Sequence, residues 1–183
     1  MIKFRPLTEN DVECRVAQLG PDWCTLLLYK NARVDMNILD ETVGPENWQR
    51  DHFDCKGNLY CKIGINTNYK SADAPDRWVW KADCGTESYT EKEKGESSDS
   101  FKRAGFCWGI GRELYTAPLI FIRKDGKDGK PNYETTTKNG KETLKGSFEV
   151  TKMIVKDGKI TGLNIEYPRF HKTVFVFGNI FDD

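Results

Sequence analysis

The sequence predicts an α+β fold: an antiparallel β-meander flanked by helices, with a C-terminal β-hairpin extension. Three observations lead there. Residues 48–54, 59–66 and 77–85 have strand length, and the last two alternate side-chain character with the period of a sheet that keeps one wet face. Residues 31–43 and 94–115 place their apolar residues three and four apart, as a helix on a sheet requires. Near the end, Asp157-Gly158 separates two β-rich runs, a strong hairpin signal.

The elements follow in order. Thr8 with Asp11 resembles an N-cap, and Val12, Val16 and Leu19 mark one face of a short helix stopped by Gly20-Pro21. Trp23–Tyr29 is an apolar run of strand length. Ala32, Met36, Leu39 and Val43 then share a helical face, with Asp35, Asp40 and Glu41 turned outward, and Gly44-Pro45 ends the helix. Two strands, Trp48–Asp54 and Leu59–Asn66, meet at a turn of residues 55–58. In the second, Leu59, Cys61, Ile63 and Ile65 alternate with Tyr60, Lys62, Gly64 and Asn66. In the third strand Trp78, Trp80, Ala82 and Cys84 alternate with Arg77, Val79, Lys81 and Asp83. Trp48, Trp80 and Trp108 are expected to pack in the core.

The helix expected over Lys94–Tyr115 organises the chain. Glu96 and Asp99 suit its positive end and Arg112 its negative end. Gly105, Gly109 and Gly111 within it would cost roughly 3 kcal/mol together against alanine, a cost that close approach of another backbone could offset. Residues 120–146 carry seven Lys/Arg, four Asp/Glu and four Gly, which reads as a long solvated hairpin loop or a disordered arm. Strands are expected at 148–155, 159–167 and 173–178.

Composition narrows the function classes. The chain has 183 residues, 28 Lys+Arg against 28 Asp+Glu, and zero formal net charge. A whole-surface polyanion binder normally shows a basic bias, so only a local basic stripe is expected. Six cysteines are scattered without a C-x-x-C pair, and the two histidines lie far apart. That spacing offers no zinc site and suggests buried reduced thiols. The first residues lack an apolar leader segment and no long apolar run follows. The expected location is therefore the cytoplasm, without membrane contact.

Catalytic groups are sparse. No G-x-x-x-x-G-K-[ST] loop is present, so no nucleotide cofactor is expected. The Asp-Gly-Lys triplets at 125, 128 and 157 read as turns. No cysteine has a local signature of a nucleophile. No cofactor, metal or enzyme activity is expected. Binding is the alternative, and a nucleic-acid groove needs cations along phosphates and flat side chains under bases. Lys102 and Arg103 form a cation pair on the long helix. Arg33 opens the preceding helix with Lys30 nearby, and Lys62 alternates outward on a strand beside Tyr60.

Two segments resemble a known family, the single-strand DNA annealing proteins of the Sak and Rad-fifty-two superfamily of phages and eukaryotic recombination. Asp99-Ser-Phe-Lys-Arg-Ala-Gly-Phe-Cys-Trp-Gly-Ile-Gly-Arg-Glu-Leu-Tyr115 resembles its Asp-Gly-Leu-Lys-Arg-Ala helix. Residues 32–48 resemble its Arg-Val-led helix and Gly–Trp turn. The likeness covers about residues 24–117. It implies an annealing-type α+β core over 1–117, including the N-terminal helix. Residues 118–183 match nothing in the family and are expected as a β-hairpin extension packed on the same domain, serving as a decoration, an oligomer contact or a second DNA-binding arm. The likeness further implies nucleotide-independent annealing of complementary strands in recombination and repair, by a phage- or prophage-encoded homo-oligomeric ring in the host cytoplasm. A single-strand-binding protein or exonuclease would be a partner. Lys102, Arg103 and Arg33 match positions that contact the DNA backbone. Phe106 stands where the eukaryotic branch has a further arginine, and the basic segment before the helix is shortened to Glu91–Lys94. The rival expectation is an α+β module that binds a protein partner through its aromatic sheet and does not bind DNA.

Overall fold

Eleven strands and two α-helices are visible in the computed structural model, which describes residues 2–71, 73–86 and 92–180, with backbone alone at 92–94. They form two compact units. One combines the residues up to Pro6 with Asn31–Arg112, and the other combines Leu7–Lys30 with the residues from Glu113 onward. The fold is α+β with antiparallel sheets, as expected. Residues 7–30, expected in the core with 31–117, instead fold with the C-terminal part, and the second crossing falls at Arg112.

In the first unit, α1 (Ala32–Val43) is capped by Asn31, whose side chain accepts from the amides of Arg33 (2.9 Å) and Val34 (3.4 Å). Gly44 ends the helix, and β3 (Trp48–Cys55), β4 (Asn58–Asn66) and β5 (Trp78–Cys84) form the meander in the order β3-β4-β5. Cys55 pairs with Asn58, and the two intervening residues, Lys56 and Gly57, both have positive φ, the geometry of a tight hairpin turn. Helix α2 (Lys92–Trp108) lies across one face of this sheet. Cys61, Ile63, Ile65, Phe101 and Ala104 are fully buried between them. The ring of Phe101 meets Trp48 at 6.1 Å between centroids, and the indole N–H of Trp108 donates to the Ile63 carbonyl at 3.0 Å.

The helix expected to reach Tyr115 stops at Trp108. Gly109 and Gly111 lie beyond it with φ of +102° and +75°, where glycine is the favoured residue and its helix penalty does not apply. Only Gly105, of the three, sits within the helix. A Cβ there would collide with the Asp35 carboxylate. Asp35, expected to face solvent, is 0% exposed, so the missing side chain at 105 lets α1 come close.

In the second unit, β1 (Glu13–Leu19), β2 (Trp23–Tyr29) and β6 (Ile120–Arg123) form one sheet in that order. The helix expected around Val12–Leu19 is therefore a strand. Thr8 and Asp11 do form a local cap, with the Thr8 amide 2.9 Å from the Asp11 carboxylate, over a single 3-10 turn at Glu9–Asp11. A second sheet orders β11 (Lys172–Gly178), β10 (Lys159–Tyr167) and β9 (Glu149–Lys156). The β9–β10 turn is Asp157-Gly158, with φ of +52° and +71°. Residues 120–146 are an ordered stretch and not a disordered arm. They hold β6 and a hairpin of β7 (Thr135–Lys138) and β8 (Lys141–Leu144). Tyr133 anchors the stretch, buried edge-on against Phe148 at 5.8 Å.

All six cysteines are free thiols. Burial pushes Cys14 up to about 12 and Cys24 and Cys61 up to about 11, so at pH 8 these three stay protonated and unreactive. Cys55 is exposed at the hairpin end. Iodoacetamide at pH 8 under native conditions should therefore modify Cys55 first and leave Cys24 and Cys61 intact until denaturant is added, as read by peptide mass mapping. Prompt alkylation of Cys61 would contradict its place beneath α2.

Candidate nucleic-acid interface

Helix α2 presents its sheet-facing residues at 97, 101, 104 and 108, which leaves consecutive Lys102 and Arg103 diverging by about 100° around the axis. Arg103 leans toward β5, its NH2 nitrogen 3.6 Å from Asp83, while its Nε is buried with no hydrogen-bond partner. Lys102 reaches back one turn to Asp99 at 3.9 Å. Both ion pairs are longer than hydrogen bonds and partly solvated, the class worth about 0–1 kcal/mol. A phosphate oxygen could displace either carboxylate at small cost.

Arg33 is exposed on the first turn of α1. Two residues further, Asp35 lies against Gly105. The start of α1 thus runs along α2 at a point two and three residues beyond Arg103 and Lys102. These three predicted cations belong to neighbouring turns of two packed helices. The other two do not join them. Lys30 is 1% exposed and lies in the second unit, so it cannot meet a phosphate from its buried position. Lys62 lies on the sheet face opposite α2, because it alternates with Cys61 and Ile63, which pack under the helix.

That opposite face carries Trp80, which sequence reasoning assigned to the core, among other aromatic side chains. Trp80 is 42% exposed and Phe53 38%. The register sets Phe53 beside Tyr60, Lys62 beside Asp51 and Gly64 beside Trp80. Phe53 and Tyr60 stack at 5.5 Å, and Trp78 and Trp80 at 6.3 Å. The Lys62 ammonium lies 5.8 Å from the Phe53 ring, 5.2 Å from the Trp80 ring and 3.2 Å from Asp51. Gly64 makes this possible: a Cβ there would meet the Trp80 ring at 2.7 Å. The signal that could have found Trp80 was the inward pair Lys81 and Asp83. Lys81 donates to the Cys107 carbonyl at the end of α2 (3.0 Å) and Asp83 pairs with Arg103, so the polar residues of β5 face the helix and the tryptophans face out.

For catalysis the described residues offer little. The His52 Nε2 lies 3.2 Å from the Ser97 carbonyl and 3.1 Å from its hydroxyl. An N–H on that nitrogen donates to the carbonyl, and in the other tautomer its lone pair accepts from the hydroxyl. Among the described residues no three His, Cys, Asp or Glu side chains cluster to hold a metal, and no helix is long and apolar enough to cross a membrane. Comparison with protein-family models, with curated proteins and with solved structures returned no match to this chain.

Proposed function

We infer that this protein binds single-stranded DNA and anneals complementary strands without nucleotide hydrolysis, as a phage-type recombination and repair factor working as a homo-oligomer. The observation that carries the inference is Arg103: a guanidinium whose side chain is 41% exposed and whose only carboxylate among the described residues stands at 3.6 Å. Lys102 follows the same pattern at 3.9 Å, and exposed Arg33 opens the helix packed alongside. A guanidinium left under-satisfied by its own protein is suited to the fork of a phosphate. These are also the three positions that the sequence resemblance matches to DNA-backbone contacts in the annealing proteins. Annealing breaks no covalent bond. It requires charge neutralisation and accessible bases, so a surface of cations without a catalytic constellation suffices.

A second reading draws on the exposed face of Phe53, Tyr60, Trp78 and Trp80, which would suit a protein partner that never meets DNA. A gel-shift series with a labelled single strand separates the two. Strand binding should fall with rising salt with a slope of about −0.7 per phosphate contacted. Three contacts would give a slope near −2 on that basis. No shift at low salt, or a slope near zero, would favour the protein-partner reading.

A further inference from the structure

A cleft of about 530 Å³ in the first unit is lined by Thr67, Tyr69, Lys70, Lys81, Trp108 and Arg112. Its charge is one-sided. Lys62, Lys102, Arg103 and, in the other unit, Lys124 each face a carboxylate at 2.9–3.9 Å. Lys70, Lys81 and Arg112 have no carboxylate partner among the described residues. In a chain with no net charge, three cations without a carboxylate partner around one concavity concentrate positive potential there.

Part of this arrangement is explained by the helix itself. Lys81 donates to the Cys107 carbonyl at 3.0 Å, and Arg112 donates from Nε to Phe106 (2.6 Å) and from NH2 to Cys107 (2.9 Å). Both cations therefore close the C-terminal end of α2, where the dipole favours them. Capping uses one of three ammonium donors and two of five guanidinium donors. It fixes the two side chains and leaves two and three N–H groups unspent. Lys81 is held further by the Trp108 ring at 4.5 Å. Lys70 has no capping role; its ammonium lies 5.4 Å from the Tyr69 ring, and the Tyr69 hydroxyl donates to the Thr42 carbonyl at 3.2 Å. Pre-positioned donors lose little entropy on binding a ligand.

We propose that this cleft is a phosphate-ester site, with Lys81 and Arg112 as its fixed floor and Lys70 as the cation that closes on the ligand. Its volume lies in the range that holds a nucleotide-sized ligand. The phosphate can come from a free nucleotide or from a strand backbone. The site does not depend on Lys102 and Arg103 carrying DNA, since neither lines the cleft.

Calorimetric titration of the full chain with pyrophosphate, at ionic strength held constant with potassium chloride, tests it. Saturable binding should weaken at least tenfold in Lys70→Ala, a side chain outside the helix cap. It should weaken similarly in Arg112→Lys, which keeps the charge and loses the fork. Lys62→Ala, on the far face of the sheet, should bind pyrophosphate as the parent does. Thymidine 5′-monophosphate competing with pyrophosphate identifies a free nucleotide as the source, and an oligothymidylate competing in a Lys70-dependent manner identifies a strand. Absence of saturable binding in the parent, binding by Lys70→Ala or Arg112→Lys as tight as the parent's, or competition by neither ligand overturns the proposal.

Discussion

Replacing Lys102 and Arg103 together by alanine should abolish strand annealing and weaken single-strand binding by about 100-fold or more. Each side chain stands to make a charge-assisted hydrogen bond to phosphate worth roughly 1.5–3 kcal/mol, and every 1.4 kcal/mol is tenfold in affinity. The salt slope should also fall by about 1.4, two contacts at 0.7 each. Stability should hardly move, because the two ion pairs that are lost are long and partly solvated. The double variant should keep its circular-dichroism spectrum and urea midpoint while losing annealing of complementary fluorescent strands. A folded double variant that anneals at the parent rate would remove α2 from the interface. Arg33→Ala should weaken binding less, since it removes one exposed cation and not two.

Much of the first unit was legible because its pattern is local. The β3–β4–β5 meander, the Lys56-Gly57 turn and the α1 boundaries at Asn31 and Gly44 each follow from residues within a few positions of one another. The errors have identifiable causes. Strand β1 looked helical because Val16 and Leu19 share a face three residues apart. That spacing arises from a register shift between Val16 and Gln18, and an extra residue in a strand breaks the period of two. The glycines at 109 and 111 follow the helix they were assigned to, and only their backbone angles show it. Asp35 was placed outward by its charge, but the space that buries it comes from Gly105, seventy residues away. The same limit hid the cleft: positions 70, 81 and 112 have no spacing that marks them as neighbours.

The largest effect on stability is expected from Phe101→Ala. Phe101 is 0% exposed, its ring lies against Trp48, and the Arg50 guanidinium stands 5.0 Å above its centroid. Removing a buried phenylalanine side chain typically costs about 3–5 kcal/mol, against about 5–15 kcal/mol for a whole domain. The urea midpoint should fall by about a fifth or more of its value if the slope is unchanged. Phe101→Leu keeps a hydrocarbon wedge between α2 and β3 and should retain most of the stability. The pair also separates position from function, because Phe101 immediately precedes Lys102 and Arg103 on the helix. If Phe101 acts only by seating α2 on the sheet, strand binding in Phe101→Ala should recover when the measurement is made at low temperature with the protein folded. If binding stays lost while the fold is intact, the ring itself belongs to the strand interface, and its burial in the free protein would have to open for DNA to reach it.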